Sequence, residues 1–184
     1  MSESSNAKLV LVEQSPARVA AHDKAGWLEL FTEDAAVIDP IGGPVHQGPA
    51  ARSRFWDTFI APNDIRFEVF GDIVAPSDSA TTEIVRDVHI HVRTAGGAEI
   101  IVPTYLRYVV REQNTQLKIQ TLEAYWELGG QMKQISASGM RGIRTSMGIT
   151  AGMLRNQGMG FLFAYSRGLL GIGAAGHRAV VRLA

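Results

Sequence analysis

The spacing of apolar residues changes once along the first two thirds of the chain, from a helical period to strict alternation. Over residues 15–31 apolar residues recur at helical spacing, with Ser15 as a candidate N-cap and Pro16 at the first helical position. The polar residues 22–24 predict a break between two short helices. Helical spacing resumes over residues 50–59, where Phe55, Trp56 and Phe59 lie on one side. The first part of the chain is therefore expected to be helical.

From Asp64 onward the alternation of apolar and polar residues predicts β-strands. Four runs show it, over residues 65–74, 80–93, 99–111 and 118–127, and turn-forming residues fill each gap. Strands joined by short turns form hairpins and hence a mostly antiparallel sheet. Helices followed by a meander of long strands predict an α+β fold, with the helices packed on one face of a curved sheet.

Alternation also predicts which side chains share a face of the second strand. Ile84, Val88 and Ile90 fall on one face together with Arg86. If buried, that arginine needs an anionic partner, which can be an acid at the sheet edge or an interface, Asp39, or a ligand carboxylate.

The opposite face carries Asp87, His89 and His91, a spacing that two imidazoles and a carboxylate on a metal ion would also show. Polar residues on a strand face are more often simply solvated. No metal site is therefore predicted.

The formal net charge is zero, but the charges are unevenly distributed. Residues 1–127 hold all 18 acids against 11 Lys and Arg, a balance of −7, and residues 128–184 hold seven Lys and Arg and no acid, a balance of +7. The second region also holds 12 of the 19 glycines. Two regions with different roles are predicted, 1–130 and a basic, glycine-rich helical extension over 131–184.

The extension mixes small residues with apolar ones, and charges interrupt every apolar stretch. The longest gap, between Arg155 and Arg167, has only 11 uncharged residues, whereas a bilayer-spanning helix needs about 20. Glycine-rich helices are weak alone, so the extension is expected to pack on the acidic region or a second subunit, on a membrane surface, or on an acidic partner. A flap over a ligand pocket is a further hypothesis. Nucleic acid is not expected, because the basic residues are sparse.

Absent features narrow the choice of function. The chain has no cysteine, which excludes disulfides and thiol nucleophiles and fits a cytoplasmic location. The first residues have an acid at position 3 and a four-residue apolar run, so they predict a disordered tip and neither a signal peptide nor an anchor. The glycine pairs open no phosphate-binding fingerprint, and no cofactor is predicted.

Two segments resemble the ketosteroid isomerase branch of the NTF2-like, or SnoaL-like, superfamily. They are LFTEDAAVIDPIGGPVHQG over residues 30–48 and KIQTLEAYWE over residues 118–127. With the order of helices and strands, the resemblance covers about residues 9–127 and leaves the extension unmatched. It implies an NTF2-like cone, in which N-terminal helices close one side of a strongly curved sheet around an apolar pocket, and a homodimer.

The resemblance also implies roles for individual residues. Asp39, before a proline and two glycines, takes the position of the isomerase base; the alternative is a turn aspartate that bonds local amides. The two donors that hold the enolate oxygen in that family fall on Ser15, in place of a tyrosine, and on Thr104 or Tyr105, in place of an acid. The missing donors therefore argue against efficient steroid isomerisation.

The sequence thus predicts an apolar pocket for a steroid-like, polyketide-like or other lipophilic small molecule, with Asp39 as the base and Thr104 or Tyr105 as the donor. The alternatives are a non-catalytic binding protein and a peripheral membrane protein that acts through its basic extension. The predicted ligand-contacting residues are Ser15, Phe31, Phe55, Trp56, Arg86, Val88, Ile90, Leu106 and Trp126.

Overall fold

Six strands form one curved sheet, and helices lie across its inner face and its open end. The structure is a computed structural model that describes residues 3–76 and 80–159. The elements are α1 Glu3–Ala20, α2 Lys24–Glu29, β1 Phe31–Ile38, β2 Val45–Gln47, α3 Pro49–Phe55, a π-helical turn Trp56–Ile60, β3 Asp64–Pro76, β4 Thr81–Arg93, β5 Glu99–Gln113, β6 Gln116–Tyr125, α4 Leu128–Ala137 and α5 Met140–Gln157.

The strand order is β2-β1-β6-β5-β4-β3. Every neighbouring pair is antiparallel except β1 and β6, which run parallel. The central strands are long hairpins, as the alternation predicts, and the β5–β6 turn places Asn114 and Thr115 at positive φ. The prediction of an α+β fold of the NTF2-like type is confirmed.

The first helix differs from the sequence prediction. α1 begins at Glu3 and continues through Pro16, so Ser15 is not an N-cap and the expected disordered tip is wrong from residue 3 onward. Val12, Ser15 and Val19 are buried on one side of the helix. Packing of this side over the sheet stabilises a helix whose proline would weaken it in isolation.

The predicted break after α1 is confirmed. The side chain of Asp23 accepts a hydrogen bond from the backbone N–H of Gly26 at 2.9 Å and caps α2.

The two faces of β4 follow the alternation in the sequence. Ile84, Arg86 and Val88 are buried. The Arg86 guanidinium donates to both carboxylate oxygens of Asp72 on the edge strand β3, at 2.7 and 2.8 Å, and lies 3.5 Å from a Glu13 oxygen of α1. Of the alternatives for Arg86, the sheet-edge ion pair is the one observed.

The two histidines of β4 lie on the other face. His91 Nε2 lies 3.1 Å from Glu68 Oε2, and the His89 ring packs edge-to-face with Phe70. Within residues 3–76 and 80–159, no cluster of three His, Asp or Glu side chains is placed to hold a metal ion.

A buried arginine supports an irregularity in β1. The register of β1 against β6 shifts between Phe31 and Ala36. Arg52 of α3 donates to the backbone carbonyls of Thr32 at 2.9 Å and Ala35 at 2.5 Å. The Ala35 carbonyl also accepts a hydrogen bond from the Gly48 N–H at 3.0 Å, so the arginine adds a charged donor to this part of the strand and fixes α3 to β1.

Arg52→Ala is expected to lower the free energy of unfolding by about 3 kcal/mol, because buried carbonyls lose a charged donor. Urea denaturation followed by circular dichroism measures the change. The control is Arg54→Ala, two residues further on and exposed, for which the change is expected to stay within about 0.5 kcal/mol. Equal losses for the two variants would contradict this role of Arg52.

The described part of the extension packs on the body of the same chain. On α4, the Gln134 side chain accepts a hydrogen bond from the backbone N–H of Ile101 at 3.0 Å and donates one to its carbonyl at 2.9 Å. β5 runs past the end of β6, so residues 99–103 have no strand neighbour on that side. The amide of Gln134 occupies part of this open edge.

Close contacts hold α5 against α4 and against the turn between β4 and β5. A Cβ added to Gly142 would lie 1.9 Å from the Ile135 carbonyl oxygen of α4, so only glycine permits this crossing. The Thr145 hydroxyl lies 2.7 Å from that of Thr94, and a Cβ added to Gly96 would lie 2.4 Å from the Thr145 nitrogen. The division at residue 130 stays a prediction, and residues 160–184 of the predicted extension lie outside the described residues.

Candidate functional site

A cavity of about 380 Å³ lies between the inner face of the sheet, the N-terminal helices and the two C-terminal helices. The sheet contributes apolar side chains, and α4 and α5 close the cavity with a second apolar set. From the sheet these are Ile65, Phe67, Ile90, Val92, Ile100, Val102, Leu106 and Leu122, and from the two helices Met132, Ile135, Ile149 and Met153. The cavity is therefore suited to a lipophilic molecule.

Asp39 is the only residue with an ionisable carboxyl, amino, guanidinium or imidazole group among the described residues that line the cavity. It follows the last residue of β1, and the loop after it is fixed because the Ile41 N–H donates to the Ala124 carbonyl of β6 at 2.8 Å. Trp126 Nε1–H donates to Asp39 Oδ1 at 2.6 Å. The carboxylate is thus held in one orientation, with one side open to the cavity.

Burial decides the acidity of Asp39. Loss of solvent raises its pKa above the usual value near 4, and the hydrogen bond from Trp126 opposes that rise. A carboxylate that is desolvated and held in place is a stronger base than one in water.

Tyr108 lines the same cavity next to Ser15. Trp27 Nε1–H donates to Ser15 Oγ at 3.1 Å, and the Ser15 hydroxyl acts on the Tyr108 phenol in the direction that lowers its pKa. All three residues line the cavity. Because the Ser15 oxygen already accepts from Trp27, its own hydrogen can go to the tyrosine oxygen, which leaves the Tyr108 proton for a ligand.

Tyr108 stays protonated at any physiological pH. Burial raises its pKa to about 12, with smaller contributions that include the nearby Asp39 carboxylate. A neutral phenol beside a carboxylate is a hydrogen-bond donor, not a second base. Its position on the inner face of β5 follows from alternation, but its partner Ser15 comes from α1, and nothing in the sequence indicates that pairing.

The structure brings six of the predicted site residues to the cavity and leaves six elsewhere. Ser15, Asp39, Phe55, Ile90, Leu106 and Trp126 line it. Phe31, Trp56 and Val88 are buried in the core without lining the cavity, and Arg86 is engaged by Asp72 and Glu13. The remaining two residues are the expected donors.

Neither expected donor lies in the cavity wall. Thr104 is buried, but its hydroxyl donates to the Val102 carbonyl of its own strand at 3.0 Å. Tyr105 is 41% exposed, because alternate residues of β5 point to opposite faces and it follows an inward-facing residue. Tyr108, two residues further along the inward-facing side of β5 than Leu106, is the tyrosine among the described lining residues.

His46 lies behind the cavity wall. It is buried on β2, with its ring 4.9 Å from Phe55 and 6.4 Å from Phe59, which both line the cavity. Burial lowers its pKa to about 4. His46 thus supports two lining residues from behind and does not itself line the cavity.

Protonation of His46 is expected to destabilise the fold in acid. Its folded pKa of about 4 is below the usual 6.5, so its contribution is present above pH 6.5 and is lost as the pH falls through 4, at a total cost of about 3 kcal/mol. Urea denaturation between pH 4 and 7 measures the slope, which His46→Gln should flatten. The exposed His22→Gln is the control, and an unchanged slope in His46→Gln would refute the assignment.

Several solved structures are similar to this chain over about two thirds of its length. A search of curated proteins finds no match. Among solved structures, Rv0760c from Mycobacterium tuberculosis in complex with estradiol-17beta-hemisuccinate is 27% identical, with 67% of this chain and 95% of that chain covered and a TM-score of 0.55. Delta 5-3-ketosteroid isomerase from Mycobacterium sp. is also 27% identical, with 66% and 94% covered and a TM-score of 0.53.

A computationally designed 17-OHP binder is 26% identical, with 67% of this chain and 95% of that chain covered and a TM-score of 0.54. The family model described as SnoaL-like domain matches residues 12–114. The matched segment covers more than half of the chain and ends before α4 and α5. The chain therefore belongs to the SnoaL-like domain family and is similar in structure to ketosteroid isomerase.

Proposed function

We propose that this protein binds a steroid-like lipophilic molecule in the cavity and moves a proton on it with Asp39 as the general base. The observation that carries the proposal is the environment of Asp39: one carboxylate, oriented by Trp126, in a cavity whose other described lining residues are uncharged. Its raised pKa brings a carboxyl group closer to the range in which a base both accepts and returns a proton at neutral pH.

The chemistry requires a carbon acid next to a carbonyl group. In a β,γ-unsaturated ketone, a free Asp39 oxygen takes a proton from the carbon between the carbonyl group and the C=C bond. The electron pair of the broken C–H bond forms a new C=C bond to the carbonyl carbon, and the π pair of the C=O bond moves to the oxygen, which gives a dienolate. The Tyr108 hydroxyl donates a hydrogen bond to the enolate oxygen that forms. Asp39 then returns the proton to a second carbon, so the product is an isomer and no cofactor is consumed.

The comparisons support the choice of ligand. The three similar proteins above are a complex with an estradiol derivative, a ketosteroid isomerase and a designed 17-OHP binder. The apolar lining of the present cavity is compatible with a flat, rigid and largely apolar ligand of this class.

A binding protein without catalysis is the second candidate. The observation in its favour is that Tyr108 is the only phenol, and Asp39 the only carboxyl group, among the described lining residues, so a second strong donor for an enolate is lacking. Loss of one such donor costs about 10²–10³ in rate in other enzymes. A pocket of this kind can retain affinity when turnover has fallen far.

The cavity can be tested by placing a larger side chain on α5, the helix that forms its lid. Ile149→Trp places a large ring where α5 lines the cavity and is expected to weaken the binding of estradiol, measured by isothermal titration calorimetry, by at least about tenfold. Met147→Trp, on the same helix but 67% exposed, should bind as the wild type does. Thermal melts of both variants report whether the fold is kept.

Turnover separates the two candidates. A β,γ-unsaturated ketosteroid that is isomerised by the wild type identifies an enzyme, whereas estradiol binding without turnover identifies the binding protein. If the wild type neither binds nor turns over any steroid, or if Ile149→Trp binds estradiol as tightly as the wild type, the proposed site is wrong.

A further inference from the structure

The outer side of α5 is apolar although it faces solvent. Met140 is 68%, Ile143 56%, Met147 67% and Leu154 40% exposed. At 3.6 residues per turn, these four positions fall on one side of the helix and form an apolar strip. The opposite side packs inward through Thr145 and Met153. α5 therefore has two apolar sides, of which only the inner one is covered by the described residues.

Basic residues border this apolar strip. Arg141, Arg144 and Arg155 are exposed on α5, and on the helical wheel they lie next to the strip, along one of its edges. None of the three forms an ion pair with a carboxylate of the described residues. No acid occurs anywhere after Glu127 in the sequence.

We propose that the apolar strip binds the surface of an anionic membrane. A helix with Met, Ile and Leu on one side and arginines beside them inserts its apolar side chains at the boundary of headgroups and acyl chains, and its arginines pair with lipid phosphates and carboxylates. None of the described helices is long and apolar enough to cross a bilayer, so the contact is with the surface. This inference uses only the outer side of α5 and does not depend on the proposed reaction.

Charge favours a membrane over the two coverings that the chain itself can provide. In an antiparallel two-fold pairing of α5 through the apolar strip, the arginines along one edge of each copy would approach each other. Residues 160–184 add Arg167, Arg178 and Arg182 and no acid, so they too would bring like charge to the strip. An anionic lipid surface offers an apolar layer to the strip and negative charge to the arginines.

The apolar strip and the cavity lie on opposite sides of the same helix. The inner side of α5 lines the cavity through Ile149 and Met153, so the helix that lies on the membrane is also the helix that closes the cavity. A lipophilic ligand dissolved in the bilayer would then be next to the cavity lid.

Vesicle co-sedimentation of the full chain tests the proposal. Binding to phosphatidylcholine vesicles that contain phosphatidylserine is expected, with weaker binding to phosphatidylcholine alone and in high salt. The double variant Ile143→Ser/Met147→Ser should lower the affinity for the anionic vesicles by at least about tenfold. Arg141→Gln and Arg144→Gln should each lower it by about fivefold.

The matched control is Phe70→Ser/Ile73→Ser on β3, where the two side chains are 55% and 70% exposed. This variant loses as much exposed apolar surface and should bind vesicles like the wild type. The proposal is overturned if the wild type does not bind anionic vesicles, or if the α5 double variant binds them equally well. It is also overturned if light scattering shows a wild-type dimer that the α5 double variant dissociates.

Discussion

Asp39→Asn is expected to lower the rate of steroid isomerisation by about 10²–10⁴, the usual contribution of a positioned general base. The amide has the shape of the carboxylate, and its oxygen can still accept the hydrogen bond from Trp126. Affinity for a steroid should change little, so the loss appears in kcat. Steady-state kinetics with a β,γ-unsaturated ketosteroid measures it, and a variant with the wild-type rate would exclude Asp39 as the base.

The raised pKa of Asp39 predicts how the rate and the stability depend on pH. Asp39 acts as a base only when ionised, so the wild-type rate should rise with pH through a pKa above the usual carboxyl value near 4. Because the folded-state pKa is raised, the native state binds more protons than the unfolded state between the two pKa values, and stability falls as pH rises through that interval. Asp39→Asn should therefore be more stable than the wild type at neutral pH, which chemical denaturation measures.

Glu112→Gln controls for the loss of one negative charge. Glu112 is exposed on the far part of β5, so this variant should keep both the rate and the neutral-pH stability of the wild type. Similar changes in Glu112→Gln would mean that net charge, and not the buried position of Asp39, explains the result.

Tyr108→Phe is expected to lower kcat by about 10²–10³, as the loss of an enolate donor does in other enzymes. The ring stays, so the packing of this buried side chain is kept and only the hydroxyl next to Ser15 is lost. Steroid affinity should fall much less than kcat, because the hydrogen bond becomes strong only when the oxygen carries charge. Parallel calorimetry and kinetics measure the two effects.

Two variants of the same strand serve as controls for Tyr108. Tyr105→Phe removes an exposed hydroxyl, and Thr104→Val removes one that bonds within its own strand. Both should keep the wild-type kcat. A large loss in either, with an unchanged rate in Tyr108→Phe, would return the donor role to the residues that the sequence indicates.

The strands and the position of Asp39 could be predicted from local sequence. Alternation along β4 and β5 is visible because each strand has one face in the core, so the sequence itself records which side chains point inward. The aspartate before Pro40 ends an apolar run at a turn, and its resemblance to the isomerase motif suggested the cavity that the structure shows beside it.

The remainder of the site depends on contacts between distant parts of the chain. Ser15 and Tyr108 are 93 positions apart in the sequence, and no periodicity within either segment indicates that they meet. Arg52 appears in the sequence as one of two arginines on a short helix, and its burial depends on carbonyls of β1 that no local pattern places beside it. For α1, the rule that proline starts a helix misplaced the beginning, because tertiary packing outweighs local preference there.

The pairing of Gln134 with Ile101 has a consequence beyond the cavity. An exposed strand edge is a template on which an extended segment of another molecule can add as a further strand, and this is how folded proteins begin to aggregate. Where β5 extends beyond β6, the Gln134 amide is hydrogen-bonded to the N–H and the carbonyl of Ile101, which such a segment would need. Gln134, which holds α4 on the sheet, thus also covers part of the strand edge on which such a segment would otherwise add.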